Sequence, residues 1–445
     1  MRFTVARVLA AALTGGSVFS CAPPAPSSPA VLPGAAPADP CLVSALAEAA
    51  GDTLDILVDD SLSPAHAPVP ESDAERFAFR QVYGTLLRQD CEGTLRPGLA
   101  ARWTADPSGG SVTVELGDHR FTDGTRLSAR AVLESWDRDP TIQTRQWFAH
   151  LEADNGETLV LTPRGPDRSA PLFLAYPELA VARTDSSVSW PHGTGPFAFG
   201  GLPDPGAPVR RYLAQPNQAG PVLRFVYAPG ADPRDLFAQG ADLQVTRDRA
   251  MLEYAAGRPD LMLVPLPWDR AYFLVSPGAP LVDIGRDSSA RAEFRAALAR
   301  DAVSGSATGV GPLGKDRWWI PDYCQPGGIG GAAQVRTRIV FPDGDVTARE
   351  LAERMVALSR GRLALAALDA GALAASLRTG EDAAYIVPVR PRDGPASCLD
   401  FPAMPPGAHV EWLIYTRPHL VLRRGVARVT LDIDGVPRIL PHGAP

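Results

Sequence analysis

The chain has 445 residues, which predicts two or three domains, because one hydrophobic core rarely extends past about 250 to 300 residues. Its 43 basic and 50 acidic residues give a formal net charge of -7 at pH 7, and they are mixed along the chain. Without a basic block, the sequence argues against a nucleic-acid-binding protein, and we expect no nucleic-acid partner.

The first 21 residues have the pattern of an export signal. Arg2 and Arg7 accompany apolar or small residues at 8–20, and this run stops at Cys21, short of the ~20 residues that span a bilayer. The segment VFSC (18–21) resembles the lipobox of bacterial lipoproteins, in which cleavage leaves the cysteine as a lipidated N-terminus. We therefore expect an exported protein, periplasmic or in the cell envelope, with a lipid anchor at Cys21. The alternative is a secretory signal in which Cys21 has no such role.

A proline-rich segment and four further cysteines follow the signal. Residues 22–40 alternate proline with small residues, a composition that favours an extended linker. An even number of cysteines in an oxidising compartment predicts disulfides. Three pairings are possible, and we favour Cys41 with Cys91 and Cys324 with Cys398, because each bond then stays within one predicted lobe. The lack of CxxC spacing argues against a metal or redox role.

Strand and helix patterns alternate from residue 53 to residue 240. The predicted strands are 53–60, 111–116, 158–163 and 222–228, and the predicted helices are 74–87, 95–104, 129–136 and 232–240. The second of these helices is predicted because Pro97 suits a first turn and because Leu99, Ala100 and Trp103 share one face. Residues 203–221 have the composition of a loop.

A tight turn precedes the third predicted helix. Asp123 and Gly124 form a turn pair, since glycine adopts positive φ and aspartate can bond its own backbone, and a strand should end near Phe121. Ser128 is the predicted N-cap. The apolar residues at i, i+3, i+4 and i+7 that follow predict one buried helix face: Ala129, Val132, Leu133 and Trp136.

The second half of the chain has a β-α-β-α-β order. An amphipathic helix is predicted at 289–303, and the alternating patterns then run as strand 337–343, helix 347–361, strand 362–369, helix 370–380 and strand 383–389. Crossovers of this length predict a small sheet with parallel strands. From residue 411 onward the pattern returns to strands.

Five segments carry a family resemblance. They are VYGTLLRQDCEGTLRPGLAARW (82–103), FTDGTRLSARAVLESW (121–136), GTGPF (193–197), LFAQGADLQV (236–245) and FRAALARDAV (294–303). In this order, behind a lipoprotein-like signal, they resemble the extracytoplasmic solute-binding proteins of family 5, which serve ABC importers of peptides, nickel chelates and related solutes. One segment alone would be a weak match, whereas five in order are specific.

The resemblance implies an α/β protein with a two-lobed, type II periplasmic-binding-protein-like fold that closes on a ligand in the interlobe cleft. We expect lobe I at 41–278, lobe II at 279–404 and a return to lobe I at 405–445. The implied function is that of the solute-binding component of an ABC importer, a monomer that delivers a peptide-like or other small polar solute to an ABC permease. Such a protein is not an enzyme and needs no cofactor.

Two departures from the family leave a second function open. Ser276 stands where the family shows asparagine, and the acidic region that captures peptide termini in some members is missing around 388–404. The second lobe is also short. The alternative is a non-transport lipoprotein with a degenerate solute-binding fold, acting as a sensor or an envelope interaction module.

Motifs for catalysis or metal binding are weak. GVGPLGKD (309–316) matches the core of a phosphate-binding loop, but Pro312 removes an N–H and Asp316 replaces the hydroxyl residue that would hold magnesium. The seven histidines show no zinc-site spacing, and no nucleophile elbow is present. We expect no metal site, although a nickel chelate could use one histidine.

The candidate ligand-binding residues are aromatic or charged and lie on predicted loops or next to the predicted crossing between lobes: Trp268, Asp269, Arg270, Tyr272, Arg317, Trp318, Trp319, Arg390 and Arg392. Trp318 and Trp319 are adjacent and cannot both enter one core, so one of them should be exposed or line a groove. Arg390 and Arg392 could bind a carboxylate. The alternatives are a hydrophobic lobe interface for the tryptophans and solvated surface for the arginines.

Overall fold

The structure, a computed structural model, describes residues 40–44, 52–137, 148–154, 156–165, 170–217, 219–267, 269–277, 310–311, 337–358, 363–389, 404 and 407–440. Its strands are β1 Leu42–Ser44, β2 Thr53–Val58, β3 Leu87–Gln89, β4 Leu95–Pro97, β5 Ala100–Ala105, β6 Val112–Leu116, β7 Phe148–Asp154, β8 Thr158–Pro163, β9 Phe197–Phe199, β10 Arg210–Pro216, β11 Val222–Tyr227, β12 Leu243–Thr246, β13 Leu261–Pro265, β14 Arg270–Ser276, β15 Val310–Gly311, β16 Arg338–Pro342, β17 Ala364–Leu368, β18 Ala384–Val389, β19 His409–Thr416, β20 His419–Arg423, β21 Arg428–Leu431 and β22 Pro437–Leu440. Its α-helices are α1 Asp73–Val82, α2 Ala129–Asp137, α3 Ala170–Phe173, α4 Pro233–Ala238, α5 Arg249–Ala256, α6 Val346–Leu358 and α7 Ala370–Thr379, and Pro177–Leu179 form a 3-10 turn.

A seven-stranded sheet forms the centre of the first half of the molecule, with strand order β13-β20-β12-β2-β11-β10-β9. Strand β2 lies inside this sheet, parallel to both β11 and β12, and its apolar run fits a strand buried on two faces. Helix α1 packs on one face through Phe77 and Ala78, whereas α4 and α5 pack on the other through Phe237 and Met251. The result is a three-layer α/β/α arrangement.

A six-stranded sheet with the order β15-β19-β14-β18-β16-β17 forms a second α/β/α arrangement. Strand β16 is parallel to β17 and β18, which confirms the parallel sheet predicted from the β-α-β-α-β order. Helix α6 buries Leu351 and Met355 on one face, and Leu377 of α7 lies on the other. Strands β14 and β19 belong to this second sheet, whereas the boundaries expected from the sequence put all of β14 in lobe I and β19 in the returning segment.

Two short connections link the two sheets. Residues 266–269 lead from β13 to β14, and residues 417–418 lead from β19 back to β20. The connections are hydrogen-bonded to each other, from Leu266 N to the Pro418 oxygen at 3.0 Å and from Asp269 N to the Thr416 oxygen at 3.3 Å. They therefore form a two-segment hinge, in which a few residues at strand ends can change the angle between the sheets.

A four-stranded antiparallel sheet, β5-β6-β8-β7, packs with α2 beside the first large sheet. Helix α2 buries Ala129, Val132, Ser135 and Trp136, and the predicted face residue Leu133 packs against the same core while half-buried. The Ser128 hydroxyl accepts a hydrogen bond from Ala131 N at 3.2 Å. Both the helix and its N-cap are therefore as predicted. The preceding strand ends at Leu116, five residues before the predicted end near Phe121.

A disulfide, a strand pairing and ion pairs join the N- and C-terminal parts of the described chain. A disulfide joins Cys41 to Cys91, which is the pairing favoured from the sequence, and β1 pairs with β21 in a three-stranded sheet. Arg80 of α1 donates to Asp432 at 3.0 Å and to Asp434 at 2.7 Å on the C-terminal hairpin. The favoured partners Cys324 and Cys398 lie outside the described residues, as does Cys21.

Two local predictions are wrong. The residues predicted as a helix at 95–104 instead form β4 and most of β5. The predicted loop at 203–221 contains β10, the strand next to the edge of the seven-stranded sheet, which pairs with β9 and β11.

In the described part of the chain, no helix combines the length and the apolar character needed to cross a membrane.

Candidate functional site

The candidate site lies at the hinge, where the carboxyl ends of two sets of parallel strands meet. In the first sheet, β2 ends at Val58 and β12 ends at Thr246, which is paired with His419 at the second connection. In the second sheet, Val389 at the end of β18 pairs with Ala271 at the start of β14. Ligands of open α/β sheets bind at the carboxyl ends of the strands, so this edge is where a solute should be sought.

Six charged residues from five parts of the chain lie at this edge, and we call them the hinge cluster: Asp59, Asp73, Arg247, Asp269, Arg270 and Asp345. Ion pairs join five of them, and Asp59 interacts with Arg247 and Arg270 through charge alone. Arg270 binds Asp73 and also donates to Asp345 at 3.1 Å. Arg247 donates to Asp73 at 3.0 Å and binds Asp269 through its other terminal nitrogen. Asp73 therefore binds an arginine from each of the two sheets.

Local structure fixes three of these carboxylates. Asp73 is the first residue of α1, whose N-cap Ser72 accepts a hydrogen bond from Glu75 N at 3.1 Å. Asp345 precedes α6, and its Oδ1 accepts from Ala348 N at 3.0 Å, as a helix N-cap does. Asp59 directly follows β2, so the sheet places it at the carboxyl edge.

Burial and mutual attraction control the titration of the cluster. Desolvation acts to lower the pKa of Arg270, but Tyr272, Asp345 and Asp269 outweigh it, and the pKa is raised. Burial raises the pKa of Tyr272 to about 12. The Tyr272 hydroxyl donates to Asp345, 3.0 Å from either carboxylate oxygen. Arg270 therefore stays charged and Tyr272 stays protonated at neutral pH.

Asp59 differs from the other carboxylates of the cluster. Solvent reaches its side chain, although protein surrounds most of it. Loss of hydration raises the pKa of Asp59, while Arg247 and Arg270 act in the opposite direction without removing the effect. Among the described residues, no side chain donates a hydrogen bond to it. Asp59 is therefore the solvent-reached carboxylate of the cluster with room for an external partner, whereas Asp269 Oδ1, which also lacks a hydrogen-bond partner among the described residues, is buried.

Buried polar groups flank the cluster along the second connection. Thr416 and His419 are each only 2% exposed, and neither the Thr416 hydroxyl nor His419 Nδ1 has a hydrogen-bond partner among the described residues. Desolvation, reinforced by the charges of Arg417 and Arg247, lowers the pKa of His419 to about 4. His419 is therefore neutral at physiological pH.

The structure brings together three of the residues selected from the sequence. Asp269 and Arg270 belong to the hinge cluster, and Tyr272 is buried behind it with its hydroxyl on Asp345. The other candidates, Trp268, Arg317, Trp318, Trp319, Arg390 and Arg392, lie outside the described residues, so their ligand-binding roles remain predictions.

Sequence reasoning missed Asp59, Asp73, Arg247 and Asp345. For Asp59 a signal was present, because it lies at the end of the predicted strand 53–60, where parallel sheets bind ligands, whereas the strand that precedes Arg247 was not predicted. Asp73 and Asp345 lie at the starts of helices, where an acidic residue is expected for local reasons alone.

In the described residues, no group of three histidine, cysteine, aspartate or glutamate side chains is arranged to hold a metal ion.

Neither a protein-family model nor a curated protein matches this sequence. Solved structures do match. NikA from Brucella suis, in complex with Fe(III)-EDTA, has a TM-score of 0.66 at 15% identity, over 87% of this chain and 99% of its own. The murein tripeptide binding protein MppA of Escherichia coli has a TM-score of 0.65 at 12% identity, over 90% of this chain and 100% of its own.

DppA from Helicobacter pylori, an ABC transporter-associated periplasmic binding protein in complex with the peptide STSA, has a TM-score of 0.60 at 14% identity, over 87% of this chain and 98% of its own. This chain has the two-lobed fold of periplasmic binding proteins. The predicted fold class is therefore confirmed, and the neighbours are solute-binding proteins of the family that the sequence motifs resemble. In that fold, the seven-stranded sheet is the core of one lobe and the six-stranded sheet is the core of the other.

Proposed function

We propose that this protein is the extracytoplasmic solute-binding component of an ABC importer, which holds a peptide-like or other small polar solute between its lobes. The observation that carries the proposal is the hinge: two hydrogen-bonded connections join two α/β sheets whose parallel strands end at the same place. An arrangement of this kind can close around a solute, provided that the solute binds the closed state more tightly than the open state.

The lobe boundaries that we propose follow the sheets. Residues 40–265 and 419–440 make up the first lobe, and residues 270–416 make up the second. These limits place β14 and β19 in the second lobe, in contrast to the boundaries near 278 and 404 expected from the sequence. Asp269 and Arg270 then lie on the crossing itself, which supports their selection as residues near the solute.

Export, anchoring and partners also belong to the proposal. The signal-like segment ending at Cys21 supports export and a lipid anchor. A monomer that docks on an ABC permease completes the proposal. The matched structures are those of binding proteins, which supports a protein that binds its solute without transforming it. The alternative is a non-transport sensor or envelope interaction module. Such a protein would not deliver a solute to a permease.

Native mass spectrometry of residues 41–445 tests the proposal, because a tight solute should co-purify. A thermal-shift screen of short peptides, nickel chelates and sugars should then raise the melting temperature, since a ligand at about 100 times its Kd adds about 2.7 kcal/mol to the free energy of unfolding. The absence of both a co-purified solute and any shift would overturn solute binding and favour the alternative.

A further inference from the structure

The hinge cluster contains more negative than positive charge. Its four carboxylates face two guanidinium groups, and Arg247 and Arg270 already share their hydrogen bonds among Asp73, Asp269 and Asp345. Asp60 and Asp248, which adjoin the cluster in sequence, add further acidic groups, while Arg417 is the one additional arginine on the second connection. Carboxylates that lose water without gaining a cationic partner are costly.

Within the hinge cluster, Asp59 is the carboxylate that forms no ion pair with either arginine of the cluster. Its carboxylate is close enough to Arg247 and Arg270 to be affected by their charge, but among the described residues it accepts no hydrogen bond from either. It is also reached by solvent, at the carboxyl end of β2. A group that enters the cleft from outside can therefore contact Asp59 without displacing an existing ion pair.

A second observation points to the same place. Thr416 is the cross-strand partner of Arg270 between β19 and β14, and cross-strand partners lie on the same sheet face. Its hydroxyl is buried, directed to the face that carries Arg270, and has no partner among the described residues. A buried hydroxyl of this kind requires an acceptor or a donor, and one at the solute position would satisfy it.

We propose that the hinge cluster selects solutes that carry a cationic group, an ammonium or a guanidinium, which binds the Asp59 carboxylate. This inference rests on the proposed function and specifies the chemical class of the solute. The comparisons leave that class open, because the neighbours were solved with ligands as different as Fe(III)-EDTA and the peptide STSA. Binding of the cation would supply the positive charge that the cluster lacks, through a charge-assisted hydrogen bond.

The test uses matched solutes that differ by one positive charge. Tri-alanine is compared with N-acetyl-tri-alanine, and N-acetylagmatine with its uncharged urea analogue, by isothermal titration calorimetry on residues 41–445. We expect the member with the additional positive charge to bind at least about tenfold more tightly in a pair that binds, as the gain of a charge-assisted hydrogen bond predicts. Equal affinity within a binding pair would overturn the inference and leave solute binding intact.

Three variants assign the effect to Asp59. Asp59→Asn keeps the shape but removes the charge, and it should lose about tenfold or more in affinity for the cationic member. Asp59→Glu keeps the charge and should retain part of the preference. Asp118→Asn removes one charge from an exposed side chain and should bind as the unmodified protein does. Unchanged affinity in Asp59→Asn would overturn the inference.

The wider solute screen separates the two levels of the proposal. If it yields a bound solute without a positive charge, the selection of cations is overturned and the proposed function remains. If neither the screen nor the matched pairs yield any bound solute, the proposed function is overturned, and the inference falls with it.

Discussion

At the scale of single residues, three of the segments that carry the family resemblance, 82–103, 121–136 and 193–197, are scaffold. Gly124 has a φ of 84°, as its turn requires, and Thr122 N donates to the Gly193 oxygen at 2.9 Å. Thr194 of the GTGPF segment accepts a hydrogen bond from Gly84 N at 3.1 Å. Three of the matched segments are therefore hydrogen-bonded to one another just after α1, which explains why they identify the fold without identifying a solute.

Gly193 tests this view, because its backbone lies against the end of α1. A Cβ placed on Gly193 would lie 2.1 Å from the Val82 carbonyl oxygen, a distance at which the backbone must move. We expect Gly193→Ala to lower the free energy of unfolding by about 1 to 3 kcal/mol, the usual cost of overpacking. Urea denaturation measures the change.

Gly201→Ala is the matched control, since a Cβ at that position meets no atom within 4 Å. It should leave the urea midpoint almost unchanged. Equal midpoints for the two variants would contradict the close approach of Gly193 to α1.

His419 makes a second prediction at the residue scale. Its folded-state pKa is lowered to about 4, below the unfolded value near 6.5, so between these values the unfolded chain binds a proton that the folded chain does not. Stability from this residue is therefore present above pH 6.5 and is lost as the pH falls. From pH 7 to pH 5 we expect the unmodified protein to lose about 1 to 2 kcal/mol more than His419→Gln does.

Denaturation curves at pH 7, 6 and 5 measure this difference. The groups around the imidazole are the cations Arg417 and Arg247, with Thr246 and Pro265 as its cross-strand neighbours. None of these supplies a negative charge, so parallel pH profiles for the two proteins would contradict the burial of a neutral His419.

At the scale of elements, strand pairing overrides local pattern. Residues 95–104 place Leu99 and Trp103 on one helical face, yet Leu99 N bonds the Thr85 oxygen at 2.9 Å and Ala100 N bonds the Leu86 oxygen at 2.9 Å. Trp103 then pairs with Val114 across β5 and β6. Because these partners are distant in sequence, a helical period in a short window could not reveal them.

The disulfide between Cys41 and Cys91 gives a prediction for the short N-terminal strand β1. It closes a loop with a sequence separation of 50 residues, and the short strand β1 is otherwise held by its pairing with β21 and by Val43, which packs against the core of the first sheet. Replacing both cysteines with serine should cost about 2 to 4 kcal/mol, mainly because the unfolded chain gains freedom. Thermal and urea unfolding of the two forms measure the loss.

Reduction of the unmodified protein is the control for the serine substitutions themselves. If the reduced protein and the double variant both unfold at the midpoint of the oxidised protein, the disulfide does not stabilise the first lobe. Faster hydrogen exchange in β1 and β21 than in β2 should accompany a lower midpoint.

At the scale of the whole molecule, Asp73 couples the two lobes. It belongs to α1 on the first sheet, and it binds Arg270 of the second sheet as well as Arg247 of the first. Asp73→Asn leaves two largely buried arginines with fewer partners and should cost about 2 to 3 kcal/mol, below the ~3–5 kcal/mol for a fully buried pair. It should also widen the range of lobe angles, seen as a larger radius of gyration in small-angle X-ray scattering.

Glu134→Gln is the control, because it breaks an exposed ion pair with Arg130 that lies within one helix. Such a pair contributes only about 0.3 to 0.5 kcal/mol, and its loss should leave the scattering curve unchanged. A radius of gyration that is equal in both variants would contradict the coupling of the lobes through Asp73.

The sequence by itself determined the fold class, the parallel order of β16, β17 and β18, the helix α2 with its Ser128 cap, and the pairing of Cys41 with Cys91 as the favoured one. These features depend on local periodicity, on capping and on motif order. Only the tertiary structure decided the hinge cluster, since Asp59, Asp73, Arg247, Asp269 and Asp345 come from separate elements. Strand register brings them together, and register depends on long-range pairing that no single window of sequence contains.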